Sequence, residues 1–335
     1  MIARTGKLPF ASLAILLSGV FMGGNCWAED EEAYFSELPI VASVSRLPQR
    51  LADAPAAVTV VDREMIKASG ARDLNDIFRL VPGFQTYPNN TEVARATYHG
   101  MGDGDYSSRV QVLIDGRSMY SPLFDGGVNW ATLPVAIEDI ERIEVVRGTN
   151  AGSYGSNAFL GVINIITVDP ALSRGVSVST SYGNQNVRDY VFRVGGKIGE
   201  AGDFRFTFKQ QNDDGLSNRY DWIDSYFSRL FDFRADFALT ERDSLQFSIG
   251  QIDGVVQRGR LYSSQVFGQS MDPIRELRQK DTYAQVIWRR VLSPTSDLQL
   301  RYSYVFDQST DAFGITIPLA IPIPHFPGYP TFNIN

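Results

Sequence analysis

The stretch that decides the fold reads IERIEVVRG at residues 140–148 and GVINIIT at residues 161–167. Both runs are rich in β-branched residues and are bounded by glycine, a pattern that predicts two short strands. We expect Gly148 and Gly155, like most glycines around them, to serve turns that need a positive φ. The region before Pro170 is therefore predicted to be a compact mixed α/β domain.

Three further patterns support this domain. Asp62 is predicted to begin one helix, and Asp73 to cap a second. The apolar face of the second helix consists of four residues: Leu74, Ile77, Phe78 and Val81. A strand over 110–114 then turns at Asp115 and Gly116, a dipeptide typical of hairpins.

The chain changes character after Pro170, where aromatic residues become concentrated. Apolar and polar residues alternate there with a period of two, as in FRFTFK at residues 204–209. A period of two places successive side chains on opposite faces of a strand. About seven strands are predicted, near these ranges: 174–183, 187–198, 203–211, 226–239, 243–252, 281–292 and 297–308.

This alternation fits two architectures. A soluble sandwich packs its apolar face inward, whereas a transmembrane barrel turns that face to lipid and lines its lumen with the polar face. The predicted connections alternate in length, with tight turns at 199–202, 240–242 and 293–296 and long polar links across 212–225 and 253–280. Short periplasmic turns and long extracellular loops are typical of barrels, so we favour the barrel.

Residues 1–28 are predicted to be a signal peptide. Basic residues precede an apolar run over 8–20, and small residues occupy Cys26 and Ala28, the positions that a signal peptidase reads. The apolar run is too short for a spanning helix, which needs about 20 residues. A lipoprotein with Cys26 at its new terminus is the alternative.

The composition argues against several classes of protein. The chain has 335 residues, with 31 Lys+Arg against 38 Asp+Glu and a formal net charge of -7, which does not suit a nucleic-acid binder. Its 2 histidines and 1 cysteine leave few ligands for zinc and argue against a Cys/His nucleophile pair. No cofactor or metal site is predicted, and the chain is not expected to be an enzyme.

Five motifs, in order, resemble the plug domain of TonB-dependent outer-membrane receptors. They occupy 38–46, 54–62, 73–83, 112–117, and finally 140–148 with 153–158 and 161–167. The last of them is the most specific. Together the motifs extend over about residues 37–168.

The resemblance implies a globular plug inserted from the periplasmic side into a barrel of about 22 strands. The predicted division is a signal peptide (1–28), an N-terminal segment with a TonB box (29–46), the plug (47–170) and the first part of the barrel (171–335). The predicted fold class is thus a mixed α/β plug followed by antiparallel transmembrane β-barrel strands. About seven strands cannot close a barrel in lipid, so the chain is expected to be an N-terminal fragment of a receptor of roughly 690 residues.

The resemblance further implies TonB-dependent active import of a scarce ligand, such as a ferric siderophore or cobalamin, across the outer membrane of a Gram-negative bacterium. The implied partners are TonB with ExbB and ExbD, outer-membrane lipid and the small-molecule or metal-chelate ligand. One alternative is a ligand sensor or adhesin, although few residues separate Ala28 from Glu37 for the extra signalling domain it would need. The other is a barrel hydrolase, but neither His99 nor His325 lies on a predicted strand.

Site residues follow from the resemblance and from the loops between predicted strands. TonB is expected to pair by strand addition with Leu38, Pro39, Ile40, Val41, Ala42 and Ser43. The plug apex is expected to face the ligand through Tyr87, Asn89, Asn90, Asp103, Asp105, Tyr106, Tyr120, Phe124 and Trp130. The aromatic members either form a ligand floor or pack against the barrel wall. Asp103 and Asp105 lack the remaining ligands of a recognised calcium loop.

His99 and Arg147 are predicted to lock the plug to the barrel. In the family, two plug arginines tend to face acidic residues on the barrel wall, but this chain has His99 at one of those positions and Thr149 where proline is usual. A histidine would weaken the lock or make it sensitive to pH near neutrality. The alternative is a neutral, hydrogen-bonded imidazole with no switching role.

Overall fold

A computed structural model gives the arrangement of most of the chain. It describes residues 40–41, 43–44, 49–89, 92–99, 109–121, 127–215, 224–259, 265–266, 269–270, 273–312, 315–317 and 332–334. The predicted signal peptide lies outside these residues.

The N-terminal domain consists of short strands and helices up to Thr167. In chain order these are β1 Ile40–Val41, β2 Gln49–Arg50, β3 Ala57–Asp62, α1 Arg63–Ser69, α2 Leu74–Ile77, β4 Phe84–Asn89, β5 Glu92–Tyr98, β6 Val110–Ile114, β7 Arg117–Ser118, β8 Ile140–Arg147, α3 Ala151–Tyr154 and β9 Gly161–Thr167. Single turns of 3-10 helix lie at Leu51–Asp53, Phe78–Leu80, Trp130–Thr132, Ile137–Asp139 and Pro170–Leu172.

A mixed sheet in the order β3-β8-β9-β6-β7 forms the frame of this domain. Strands β6 and β9 are parallel, while the other neighbours are antiparallel. The two stretches that were predicted to be short strands, at 140–148 and 161–167, form β8 and β9. The core between the sheet and the helices includes Val61, Ile66, Ile77, Phe78, Ile140, Ile143, Val145, Ile163 and Ile165.

Two predicted turns have the expected backbone. Helix α1 begins where the Asp62 carboxylate accepts a hydrogen bond of 2.8 Å from the Met65 amide, and it ends at Gly70, whose φ is 64°. The hairpin between β6 and β7 turns at Asp115 and Gly116, with φ of 47° and 74°. Two successive positive φ values match the type I′ turn that an Asp-Gly dipeptide favours.

The second predicted helix is shorter than expected. It changes after one turn into the 3-10 turn Phe78–Leu80, and Pro82 and Gly83 follow. Its predicted apolar face is nevertheless buried in full: Leu74, Ile77, Phe78 and Val81. Packing, rather than helix length, therefore sets the position of this segment.

The second half of the chain forms a seven-stranded antiparallel sheet, called here the large sheet. Its strands are β10 Gly175–Tyr182, β11 Arg188–Ile198, β12 Gly202–Asp213, β13 Tyr226–Ala238, β14 Asp243–Arg258, β17 Arg275–Ser293 and β18 Ser296–Asp311. They pair in sequence order, so every neighbour is a hairpin partner except that β14 pairs with β17. All seven predicted strands are confirmed, and the described sheet is open, with β10 and β18 at its edges.

The long connections are shorter than predicted. Strand β14 continues to Arg258 and β17 begins at Arg275, so the predicted link over 253–280 contains the ends of two strands. Their register runs without interruption to the pair Arg258 and Arg275. Backbone pairing between β14 and β17 therefore continues beyond the apolar residues. The alternation of side chains identifies the apolar part of each strand but not the point where the pairing ends.

The two faces of the large sheet differ in chemistry. One face carries Phe204, Phe206 and Phe208 of β12, while the other carries Arg205 and Thr207, which are 1% and 0% exposed. The buried polar face packs against the N-terminal domain, and the apolar face is its outer side. This is the division that the period of two predicts for a barrel strand.

Short strand pairs complete the description: β15 Gln265–Val266 with β16 Gln269–Ser270, and β19 Ile315–Ile317 with β20 Phe332–Ile334. Within the described ranges, the structure has no helix that is both long and apolar enough to cross a membrane.

Candidate functional site

The N-terminal segment of the described chain is docked on the N-terminal domain. Ile40 and Val41 pair antiparallel with Arg50 and Gln49. Ile40 is 61% exposed, whereas Val41 is fully buried. The segment thus already adds one short strand to another, with one side chain outward and the next inward.

Buried Ser43 fixes this segment to strand β8. Its amide donates to Glu144 Oε2 at 3.1 Å, and its hydroxyl donates to the same oxygen at 2.5 Å. Glu144 is fully buried and also accepts from Arg142 Nε at 2.9 Å. The Ser43 hydroxyl accepts in turn from Asn164 Nδ2 at 3.0 Å. A buried carboxylate with this many donors is well satisfied, so the docked position is specific.

The loop between α1 and α2 contacts the large sheet through Arg72. Its guanidinium donates to Asp189 at 2.5 and 2.9 Å and is also bonded to Asp213. Burial lowers the pKa of Arg72, but the hydrogen bonds that it donates to Asp189 and Asp213 outweigh this effect, and the pKa lies above its ordinary value. A two-sided contact of this kind holds both the position and the orientation of the guanidinium.

Asp73 contacts the same wall and does not cap α2 with its side chain. Its carboxylate accepts from the Tyr226 hydroxyl at 2.9 Å and from Gln211 Nε2 at 3.4 Å. The predicted side-chain cap is therefore wrong, although Asp73 does occupy the N-cap position. Burial raises the pKa of Asp73, and the hydrogen bond from Tyr226 and the charge of Arg72 oppose that rise.

A second group of charges surrounds the 3-10 turn before β8. Asp139, which is 1% exposed, lies 3.3 Å from Arg193 and 3.5 Å from Arg205. Arg205 also donates to the Val168 carbonyl at 2.6 Å and to Asp232 at 3.3 Å. Two arginines of the large sheet thus enclose one buried carboxylate of the N-terminal domain.

The hairpin β6–β7 meets three further strands. Arg234 of β13 donates to the Thr167 hydroxyl at 2.7 Å and lies 3.6 Å from Asp115. Gln285 of β17 donates to the Asp115 carbonyl at 3.2 Å, and Arg301 of β18 to the Gly116 carbonyl at 2.7 Å. The tip of the hairpin is therefore held from both sides by the sheet.

Arg117, at the start of β7, contacts the large sheet without a hydrogen bond. It is 2% exposed, and its guanidinium carbon lies 3.8 Å above the ring centre of Tyr283. Among the described residues its three side-chain nitrogens have no hydrogen-bond partner. Tyr283 donates its hydroxyl to Asp232. Stacking on an aromatic face is a geometry that guanidinium adopts readily.

Comparison with known proteins agrees with this architecture. The sequence profile of the TonB-dependent Receptor Plug Domain matches residues 50–162, which include strands β3 to β8 and the start of β9. The N-terminal domain is a TonB-dependent receptor plug. It is joined to antiparallel strands that resemble those of TonB-dependent receptor barrels.

Curated relatives match the same part of the chain. A vitamin B12 transporter BtuB of Vibrio vulnificus is 32% identical over 174 residues, which are 50% of this chain and 28% of that protein. An iron-regulated outer membrane virulence protein of Vibrio cholerae is 34% identical over 161 residues, 47% of this chain and 23% of that protein. The chain spans less than a third of the length of these two relatives.

Solved structures share the fold over most of the chain. FpvA of Pseudomonas aeruginosa, bound to a heterologous pyoverdine and iron, gives a TM-score of 0.65 at 15% identity, over 85% of this chain and 38% of that one. The ferric-catecholate import receptor Fiu of Escherichia coli K12 gives 0.59 at 18% identity, over 78% of this chain and 40% of that one. Such identities support the fold alone.

The structure places only some of the predicted site residues. Of the TonB-contact residues, Ile40, Val41 and Ser43 lie on the docked segment, and the others are outside the described residues: Leu38, Pro39 and Ala42. Of the apex residues, Tyr87 and Asn89 lie on β4, and only their backbone is described. The remaining apex residues outside the description are Asn90, Asp103, Asp105, Tyr106 and Phe124.

Two apex residues are described with their side chains. Tyr120 is 46% exposed. Trp130 is partly buried, packs edge-on against Phe78 at 5.2 Å between ring centres, and lines a cavity of about 60 Å³ between the plug and the sheet. Trp130 thus packs against the core of the plug, and a ligand contact of the apex residues stays a prediction.

Neither residue of the predicted lock pair forms an ion pair with an acidic residue within the described part of the chain, and the lock stays a prediction. His99 is exposed, has a φ of 53°, and its ring lies 4.2 Å from that of Tyr98. The Arg147 Nε atom is buried without a hydrogen-bond partner among the described residues. The observed contacts between the plug and the sheet come instead from residues that the sequence had not assigned to a lock: Arg72, Asp73, Asp139, Arg193, Arg205 and Arg234.

Proposed function

We propose that the receptor containing this chain imports a scarce ligand actively across the outer membrane, gated by the plug and energised through TonB with ExbB and ExbD. The observation that carries this proposal is the charged contact between the plug and the large sheet: Arg72 of the plug pairs with Asp213, while Arg205 and Arg234 of the sheet contact Asp139 and Thr167 of the plug. A plug held by directional bonds blocks the lumen. Ligand passage then requires an input of free energy that rearranges those bonds.

The docked N-terminal segment is the proposed point of energy input. TonB would add a strand to residues 37–44, because main-chain pairing to an extended segment tolerates many side chains. In the docked position Val41 is buried and Ser43 is bonded to Glu144. The segment must therefore leave its site on β8 before its backbone can pair along its whole length with a partner.

The ligand class is proposed from the relatives. One matching relative is named as a vitamin B12 transporter, and solved structures of similar fold include receptors for ferric siderophores. We infer that the ligand is a metal chelate of the cobalamin or ferric siderophore type, which is too large for a porin channel to pass. The apex side of the plug, where Tyr120 is exposed, is the proposed contact surface.

The experiment that tests energised import replaces Ile40 in the complete receptor. Proline removes the backbone donor and disrupts strand pairing, so Ile40→Pro should abolish uptake of cobalamin or a ferric siderophore while ligand binding at the cell surface persists. Ile40→Ala is the matched control and should transport normally, because pairing uses the main chain. Uptake by Ile40→Pro at the parental rate would contradict the assignment of this segment.

The ligand itself is tested by growth. Two test strains separate the two ligand classes: one depends on the receptor for cobalamin, and the other depends on it for iron supplied as a siderophore complex. The class is identified by the strain that grows and that stops growing when TonB is deleted. Growth on either source that survives deletion of TonB would contradict energised import.

A further inference from the structure

The outer face of the large sheet carries a continuous apolar band. Cross-strand register aligns its outward residues into four rows that contain no charged side chain. The rows are Val178, Phe192, Phe208, Phe231, Gln251, Thr282 and Phe306; Val176, Val194, Phe206, Phe233, Ile249, Ala284 and Tyr304; Gly196, Phe204, Ala235, Phe247, Val286 and Tyr302; and Ile198, Gly202, Phe237, Leu245, Trp288 and Leu300. At about 3.3 Å per residue the rows extend over roughly 20–27 Å along the strands. For strands tilted by about 40° this is roughly 15–20 Å along the membrane normal, within the height of about 25 Å of a lipid-facing band.

Charge begins abruptly at one edge of this band. The next outward row aligns Gln210, Arg229, Asp253, Lys280 and Gln308. The row beyond it contains Arg278, and Arg188 lies level with it on β11, opposite Tyr182. This edge lies at the ends of the strands that lead into the longer connections, which the barrel topology places outside the cell. We call Arg188, Arg229, Arg278 and Lys280 the basic strip.

The basic strip retains free hydrogen-bonding capacity. Arg229 is exposed, stacks on Phe227 at 4.8 Å and uses its Nε to donate to Gln210 at 3.1 Å, and its terminal nitrogens make no hydrogen bond among the described residues. The Arg278 side chain is 69% exposed and bonds through one terminal nitrogen to Glu276 at 2.7 Å. Asp253 accepts from Gln251 at 2.7 Å. Four basic residues against the two acids Asp253 and Glu276 leave the strip positive.

We propose that the basic strip binds the phosphate groups of outer-leaflet glycolipid. The inference rests on the proposed outer-membrane location and goes beyond the import function. A cation at the boundary of an apolar band meets lipid phosphates at the depth of the headgroups, and guanidinium suits phosphate oxygens in a bidentate geometry. The apolar rows would hold the acyl chains while the strip holds the headgroup of the same molecule.

The test uses the complete receptor, purified in detergent, with bisphosphorylated lipid A as the probe. The substitution set Arg229→Gln, Arg278→Gln and Lys280→Gln should weaken lipid binding by about fivefold for each charge removed. Arg290→Gln is the matched control, because Arg290 lies on the same face of β17 at the opposite end of the band. It should bind as the parent does. The charge-preserving variant Arg229→Lys with Arg278→Lys should retain most of the affinity.

Three results would overturn the proposal. Equal binding of lipid A by the triple variant and the parent would show that the strip is not used. Equal binding of a dephosphorylated glycolipid would assign the contact to the apolar band alone. Competition by millimolar inorganic phosphate without any requirement for acyl chains would identify a free-phosphate site. Ligand uptake, measured in parallel, separates these outcomes from a failure of the import proposal, because lipid binding is read on the purified receptor without TonB.

Discussion

The plug and the large sheet bury their side chains in opposite ways. The plug encloses its own apolar core, in which Phe78, Ile140 and Ile163 are fully buried. The large sheet buries charged residues such as Arg205 against the plug and leaves Phe231 43% exposed on its outer face. The plug therefore carries its stabilising apolar surface inside itself, while the sheet relies on the plug to cover its polar face and leaves its apolar face uncovered.

The largest effect expected from this difference is in solubility, when the plug alone and the plug with the large sheet are each expressed. Residues 29–170 should give a soluble though marginally stable domain, because the core closes within the plug. Residues 29–335 should give insoluble protein, because β10 and β18 expose unpaired backbone groups at the edges of the described sheet. Fractionation and size-exclusion chromatography make the measurement. A monodisperse, heat-modifiable, membrane-inserted species from the longer polypeptide would contradict the strand assignment.

The charged interface should tolerate the loss of a single partner poorly. Arg205→Ala in the complete receptor leaves Asp139 and Asp232 without the guanidinium that lies between them, and breaking a buried ion pair typically costs about 3–5 kcal/mol. We expect a lower denaturation midpoint for the receptor. Arg174→Ala, which removes an exposed pair with Asp203, is the control and should leave the denaturation midpoint nearly unchanged, because exposed ion pairs contribute little to stability. Equal effects of the two substitutions would show that burial does not set the strength of these contacts.

Truncating one phenylalanine in each region isolates the apolar part of the comparison. Phe78→Ala should destabilise the isolated plug by about 3–5 kcal/mol, because the ring is fully buried and contacts Phe84 and Trp130. Urea unfolding followed by Trp130 fluorescence measures this. Phe231→Ala in the detergent-solubilised receptor should cost well under that amount, because detergent already contacts the ring. A larger loss at Phe231 would mean that the outer face packs against protein.

Much of this architecture was accessible from the sequence because it rests on local patterns. Period-two alternation located all seven strands, and Asp115-Gly116 located a hairpin whose φ values are both positive. The plug-to-sheet contacts were not accessible, because a pairing such as Arg72 with Asp213 joins residues 141 positions apart. A charge on a predicted strand shows which face it occupies, but it does not show its partner across the lumen.

Asp73 shows the same limit within one residue. Its position before an apolar helix predicts a cap, yet its carboxylate turns to Tyr226 and Gln211 on the sheet. The wall offers the phenolic donor of Tyr226 in a part-buried position, where a hydrogen bond is stronger than at an exposed helix end. Tertiary contact therefore overrides the local capping preference.

The smallest expected effect is a dependence of the plug-to-sheet contact on pH. Burial raises the pKa of Asp73 in the folded receptor, so the folded state holds its proton more tightly than the unfolded state does. The stability linked to this proton is fully present below the ordinary aspartate pKa of about 3.9 and is lost as pH rises through the raised value. Asp73→Asn cannot titrate, so the pH dependence of the denaturation midpoint should flatten in the acidic range. Asp62→Asn, a change at the exposed cap of α1, is the control and should leave the slope from Asp73 in place. A slope that is unchanged in Asp73→Asn would assign the acid sensitivity of the receptor to other carboxylates on the lumen wall.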